Sequence, residues 1–200
     1  MKLGSSSFEH RRAIPAEFAL GAPRGFGGNR NPHLAWSDAP EGTKSFALLY
    51  IDVDAPTDAS LAGKEGVEIP VDHPRGDFVH WVEVDIPAST RDIAAGSVSD
   101  GVTKGGKRSR EVAGARDGLN DYTGWFAGDT NGMRGEYHGY DGPYPPPNDL
   151  RMHRYFFRLF ALDVAKLDVP AKFTAADVFR AMHGHVLDEA AIYGTYRLHA

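Results

Sequence analysis

The chain has 200 residues, no cysteine and a formal net charge of −5. This length predicts one domain, spanning residues 1–200, with a core large enough to fold without disulfides. The absence of cysteine excludes a disulfide scaffold, a thiol nucleophile and thiolate-bound metal. A mildly acidic chain also argues against nucleic acid as the main partner, because nucleic-acid binding usually needs a basic surface.

The N-terminal segment lacks the apolar stretch of a secretory signal. No apolar run is close to the length of about 18 residues that a membrane-spanning helix needs. We therefore expect a cytoplasmic protein that does not span a membrane, unless a leader has been removed. The 23 glycines and 13 prolines predict many turns, which favours short strands over long helices.

Short apolar or aromatic segments bounded by turn residues predict the strands. Residues 45–53 are almost continuously apolar and predict a buried strand. Residues 78–86 predict a second strand, and the aromatic segment 153–162 predicts a third. Weaker patterns predict strands near 14–20 and 192–198.

A helix is predicted near the C-terminus. Thr174 can cap its first turn, where Asp177 adds a favourable negative charge. Apolar residues then follow at helical spacing along one face, namely Phe179, Met182, Val186 and Ala190. We expect this helix to end before Gly194.

The segment between residues 100 and 150 has little strand or helix pattern and ends in a proline-rich tract. A loop of this length in a compact domain is typically either functional or disordered. Its aromatic side chains favour order by packing: Tyr122, Trp125, Phe126, Tyr137, Tyr140 and Tyr144.

Three polar residues, Asp52, His80 and His153, lie on strand faces that are otherwise apolar. In the first strand, alternate positions put Asp52 on one face with Phe46, Leu48 and Tyr50. In the second strand, His80 shares a face with Val82 and Val84. In the third strand, His153 shares a face with Tyr155, Phe157 and Leu159. Polar groups of this kind can build a shallow ligand pocket. The alternative is that each is a solvated residue at the end of a strand.

Four segments carry a recognisable pattern. They are Asn31-Pro32-His33-Leu34-Ala35-Trp36 with Pro40-Glu41-Gly42-Thr43-Lys44-Ser45, then Asp52-Val53-Asp54-Ala55-Pro56, then Val79-His80-Trp81 with Asp85-Ile86-Pro87, and finally Gly142-Pro143 and Pro145-Pro146 followed by His153-Arg154-Tyr155. In this order and spacing they resemble the phosphatidylethanolamine-binding protein family, which includes the Raf kinase inhibitor proteins, and its bacterial branch in particular. Val53 departs from the proline of the family's Asp-Pro-Asp-Ala-Pro signature. The resemblance extends from about residue 14 to residue 196.

The resemblance implies a mainly β fold, a sandwich of antiparallel sheets with a few peripheral α-helices, one of them near the C-terminus. It also implies a small pocket that binds phosphate-like anions or phospholipid head groups, without a cofactor, a metal or catalytic residues. By position in the motifs, the ligand-binding residues would be Asp52, His80, Gly142, Pro143, His153 and Tyr155. Asp54 and Arg154 lie next to them on the opposite strand parity, so we expect a structural ion pair.

These residue types suit an oxyanion, because two imidazoles and a phenol offer N–H and O–H donors. Asp52 can fix the tautomer of one histidine and leave its other N–H for the ligand. We expect His153 at the mouth of the pocket, where its replacement would weaken binding without affecting the fold.

A non-enzymatic role is therefore favoured. A further hypothesis, which the sequence does not decide, is a regulator that inhibits a kinase or a protease through a protein surface. Bacterial relatives are often homodimers, although no residue of the sequence specifies this. The alternative is a hydrolase in which Asp52, His80 and His153 hold a metal or act as base and orienting groups. No established catalysis accompanies the resemblance, so binding is the stronger hypothesis.

Overall fold

The computed structural model describes residues 1–199 and is dominated by β-strands. The strands are β1 (Lys2–Gly4), β2 (Gly21–Ala22), β3 (Gly25–Phe26), β4 (Leu34–Ser37), β5 (Ser45–Pro56), β6 (Arg75–Pro87), β7 (Asp92–Ile93), β8 (Glu111–Val112), β9 (Ala115–Asp117), β10 (His153–Leu162) and β11 (Val186–Tyr196). The α-helices are α1 (Tyr122–Trp125) and α2 (Ala175–Met182). Short 3₁₀ turns occupy Ala16–Phe18 and Ala59–Leu61.

The strands form antiparallel sheets. The largest has six strands in the order β11-β10-β5-β6-β9-β8, and a second has three in the order β1-β4-β7. The remaining pair, β2 and β3, forms a small hairpin. This architecture confirms the predicted antiparallel sandwich with few helices.

Hydrophobic layers cover both faces of the six-stranded sheet. On one face, Phe46 and Tyr50 of β5 belong to a cluster that includes Trp36 of the three-stranded sheet. On the other face, Leu49 belongs to a cluster that includes Val178 of α2. A strand that is buried on both faces needs apolar residues at every position, which explains the continuous apolar run of 45–53.

The three central strands lie where the sequence predicts them. The first continues to Pro56, the second begins earlier at Arg75, and the third has the predicted bounds. The predicted segment 192–198 falls largely within β11. The strand predicted near 14–20 is wrong, because Pro15 precedes a 3₁₀ turn over Ala16–Phe18.

The predicted helix is shorter than its apolar pattern. Its capping box is present, with the Thr174 backbone N–H donating to Asp177 Oδ2 at 2.9 Å. The chain then turns at Gly184, which has a φ of +83°. The expected continuation to Ala190 is wrong, because residues from Val186 onward pair with β10 instead. Here long-range strand pairing outweighs a local helical period.

Candidate functional site

A small cleft lies at the end of the six-stranded sheet. Its internal volume is about 50 Å³, which exceeds the roughly 10–15 Å³ that one water molecule requires. Buried polar residues form its floor, namely Asp52, His80 and His153. Apolar and aromatic residues form its walls and rim, namely Ala55, Pro56, Phe78, Tyr122, Trp125, Tyr144, Pro145 and Pro146.

Strand pairing brings the floor residues together. β10 pairs with β5 so that Tyr155 lies opposite Asp52, and β6 pairs with β5 on its other side. The Tyr155 ring lies 5.3 Å from the His80 ring and 6.2 Å from the His153 ring, measured between centroids. His80 and His153, which are 73 positions apart in the sequence, therefore line one cleft.

A β-bulge turns His80 toward this cleft. Tyr50 of β5 lies opposite Trp81, but the next residue, Ile51, lies opposite Val79. β6 therefore carries one extra residue at His80. Strict alternation places His80 on the face of the valines that follow it, and this expectation is wrong, because the ring packs against Tyr50 at 5.3 Å between centroids.

His80 has one ring nitrogen engaged and one unengaged. Its Nδ1 lies 2.9 Å from the carbonyl oxygen of Asp141. A carbonyl only accepts, so Nδ1 carries the proton and donates it. Burial lowers the pKa of His80, despite the opposing charge of Asp52. The ring is therefore neutral near pH 7, and its Nε2 presents a lone pair that no other residue within 1–199 engages.

The Asp141 segment is held by buried hydrogen bonds. Asn29 Nδ2 donates to the Asp141 carboxylate at 2.8 Å and Asn120 Nδ2 at 2.9 Å. Lys107 Nζ lies 2.6 Å from the same carboxylate and neutralises it. This network fixes the carbonyl that sets the tautomer of His80.

His153 is held between two carboxylates. Its Nδ1 lies 2.6 Å from Asp52 Oδ2, and its Nε2 lies 3.0 Å from Asp149 Oδ2. Burial opposes charge on the ring, but the hydrogen bonds and charges of Asp52 and Asp149 outweigh it and raise the pKa of His153. Because carboxylates only accept, an imidazolium that donates from both nitrogens satisfies the arrangement.

Arg75 extends this buried chain of charges. Its guanidinium binds Asp149 through Nη1 at 2.5 Å and Nη2 at 3.0 Å. The side chain of His153 is 0% exposed, so the expected position at the pocket mouth is wrong. Both of its nitrogens are engaged, and neither is left to donate to a ligand. His153 therefore shapes the floor of the cleft and neutralises its carboxylates.

The other predicted site residues lie behind the cleft wall. Tyr155 is fully buried, and its hydroxyl has no hydrogen-bond partner among the described residues. Gly142 donates its N–H to Asn29 and accepts from the Tyr122 hydroxyl at 2.8 Å each. The carbonyl of Pro143 accepts from the N–H of Gly21 at 2.9 Å. Gly142 and Pro143 thus support the rim, which the next three residues of the chain line directly.

Asp54 and Arg154 form the predicted ion pair. The guanidinium binds the carboxylate through Nε at 2.8 Å and Nη2 at 3.0 Å. Arg151 Nε also binds Asp54, at 2.7 Å. Asp54 is buried and is not among the residues that line the cleft, as expected for a structural ion pair.

Packing orders the segment that follows Gly118. Tyr122, Phe126 and Tyr137 are buried in one cluster, as the aromatic content predicts. Trp125 is instead 42% exposed at the rim of the cleft.

Sequence reasoning missed Asp149, the second carboxylate that binds His153. The chain offered one signal for it, because Asp149 is a carboxylate four residues before a motif histidine.

Comparison with known proteins places this fold and these motifs. The family model for phosphatidylethanolamine-binding proteins matches residues 4–197. The chain belongs to the phosphatidylethanolamine-binding protein family. This membership confirms the resemblance drawn from the four sequence segments.

Relatives in this family cover nearly the whole chain. A UPF0098 protein of Aquifex aeolicus is 34% identical over 197 residues, which cover 98% of this chain and 88% of the relative. The UPF0098 protein YbhB of Escherichia coli is 32% identical, over 96% of this chain and 97% of its own. The crystal structure of E. coli YbcL, described as a new member of the mammalian PEBP family, superposes with a TM-score of 0.71 at 25% identity, over 98% of this chain and 97% of YbcL.

Within residues 1–199, no helix has the length and apolarity needed to cross a membrane. No group of three or more His, Asp or Glu side chains in this range is arranged to hold a metal ion.

Proposed function

We propose that this family member binds a small ligand that carries a phosphate-like group, either a free anion or a phospholipid head group, in the cleft and without catalysis. The unengaged Nε2 of His80 on the cleft floor carries this proposal. It is a polar atom held in a fixed orientation and available to a ligand. Tyr155 packs next to this ring, at 5.3 Å between centroids, but its hydroxyl is buried and does not line the cleft.

The composition of the cleft suits a ligand with one polar end. Polar groups lie at the bottom, while Phe78, Trp125 and Tyr144 surround the opening. Aromatic faces pack against apolar parts of a ligand and attract ammonium groups. An organic phosphate could therefore place its phosphate on the floor and its remaining part against the rim.

The arrangement favours binding over hydrolysis. The residues that line the cleft include no serine, threonine or lysine that could act as a nucleophile. His153 has both nitrogens bound to carboxylates, so it has no lone pair with which to accept a proton. The lone pair of His80 is free, but the cleft lining offers no hydroxyl of serine or threonine and no lysine amine for it to activate. Under this proposal, any inhibition of a kinase or a protease by the protein would be controlled by ligand binding in the cleft.

Titration with inorganic phosphate and with phosphoethanolamine tests the proposal. Of the three tryptophans, Trp36 and Trp81 are buried, so a change in fluorescence on binding would report mainly on Trp125. His80→Ala should weaken binding about tenfold or more, because one hydrogen bond to a charged group is worth about 1.5–3 kcal/mol.

His183→Ala is the matched control, because that side chain is exposed and remote in sequence from the cleft residues. It should leave the affinity unchanged. Absence of saturable binding of both ligands, measured by calorimetry as well as fluorescence, would refute the proposed function. Equal loss of affinity in both histidine variants would refute the assignment to this cleft.

A further inference from the structure

The polar floor of the cleft offers hydrogen-bond acceptors where an anion site normally offers donors. The Nδ1 proton of His80 is used by the Asp141 carbonyl, so its Nε2 can only accept. Both nitrogens of His153 are bound to carboxylates. The hydroxyls of Tyr50 and Tyr155, whose rings pack against His80, have no partner within the described part of the chain, but both are buried and neither residue lines the cleft.

Asp52 strengthens this acceptor character. Its Oδ1 accepts from the Asp54 N–H at 2.8 Å, and its Oδ2 accepts from His153. A carboxylate has about four lone-pair sites, so Asp52 can still accept a hydrogen bond from the cleft that it lines. A fully deprotonated oxyanion placed there would meet a negative charge and a lone pair.

We propose that the cleft selects a protonated phosphate monoester, or inorganic phosphate in its monoanionic form, whose P–OH group donates to His80 Nε2 or Asp52. This inference rests on the proposed function and narrows its ligand class. The ligand's own proton supplies the donor that the floor lacks.

The alternative is that His80 becomes protonated and donates to a fully ionised ligand. Several groups face this ring: Asp52 and Tyr50 from β5, Tyr155 from β10, Asp121 and Tyr122 at the start of α1, and Asp141 through its carbonyl. The acidic groups favour the imidazolium, but burial of the ring outweighs them. Protonation of the ligand avoids placing a charge on this buried ring.

Sulfate separates the two alternatives, because it has no proton to donate between pH 5.5 and 8, whereas a phosphate monoester has its second ionisation near pH 6. We expect wild-type protein at pH 6 to bind phosphate at least about tenfold more tightly than sulfate, since like charges at close range cost several kcal/mol. Phosphate affinity should fall toward pH 8. Sulfate affinity should stay low at both pH values.

A second comparison uses organic phosphates. Phosphoethanolamine is a monoester with a P–OH group, whereas glycerophosphoethanolamine is a diester without one. The monoester should bind at least about tenfold more tightly at pH 6. Equal binding of the two would mean that the ammonium group provides the donor, and it would overturn this inference.

The outcomes separate this inference from the proposed function. Sulfate that binds as tightly as phosphate, or that gains affinity from pH 8 to pH 6, overturns the inference and leaves the proposed function intact. Failure of every phosphate ligand to bind overturns the proposed function itself. Asp52→Asn, which adds an amide donor, should raise sulfate affinity relative to phosphate, and the exposed Asp168→Asn should not. The wild-type comparisons decide the matter if Asp52→Asn does not fold.

Discussion

Glu83 is a buried carboxyl group whose ionisation should destabilise the fold. It lies on β6 opposite Asp117 of β9, and its Oε2 has no hydrogen-bond partner within residues 1–199. Burial raises the pKa of Glu83 from 4.5 to about 8, and the charge of Asp117 adds to this shift while Arg110 opposes it. The carboxyl is therefore protonated in the folded chain near pH 7 and ionised in the unfolded chain.

The sign and size of the effect follow from linkage. Because the pKa of Glu83 is higher in the folded chain than in the unfolded chain, the protonated carboxyl contributes its full share to the free energy of unfolding below pH 4.5. This contribution is lost as the pH rises through about 8. Between pH 6 and pH 9 the loss covers about two pKa units, or about 2–3 kcal/mol. Glu83→Gln keeps the shape of the side chain and cannot ionise, so it should remove this part of the pH dependence.

Urea unfolding at pH 6, 7, 8 and 9 measures the difference. The free energy of unfolding of the wild type should fall about 2–3 kcal/mol more than that of Glu83→Gln over this range. The exposed Glu65→Gln, as matched control, should follow the wild type. Parallel curves for the wild type and Glu83→Gln would refute the reasoning, because Glu83 would then be ionised throughout.

The buried charges at the sheet end support two further predictions. His153→Ala leaves two buried carboxylates without their shared cation and should lower the free energy of unfolding by about 3–5 kcal/mol, measured by denaturant titration. A fully stable variant would show that the ring is not a structural cation. Arg154→Ala should cost about 1 kcal/mol or less, because its side chain is 44% exposed and its partner keeps a second arginine. Its melting temperature should fall slightly while phosphate affinity stays unchanged; a marked loss of affinity would instead assign Arg154 to the ligand. Arg158→Ala, at a surface ion pair, is the control.

Local pattern was sufficient where apolar and aromatic residues dominate a short segment. Residues 45–53 are buried at almost every position and residues 153–162 at most positions, and both segments form central strands. The pattern failed after Met182, where the helical period continues into β11. A helical spacing and a strand compete for the same residues there, and pairing with β10 decides between them.

The sequence by itself was sufficient to identify the family, through motifs of fixed order, and family membership carries the antiparallel sandwich. The same motifs contain Asp52, His80 and His153, which line the cleft. Only the tertiary structure decided what those residues can do. The bulge at His80 arises from the register between two strands. The partners Asp141 and Asp149 come from a segment that has little regular structure. The hydrogen-bond partners of each histidine come from residues that are distant in the sequence or lie in irregular segments. These partners make His153 a buried cation and leave His80 with a nitrogen that accepts.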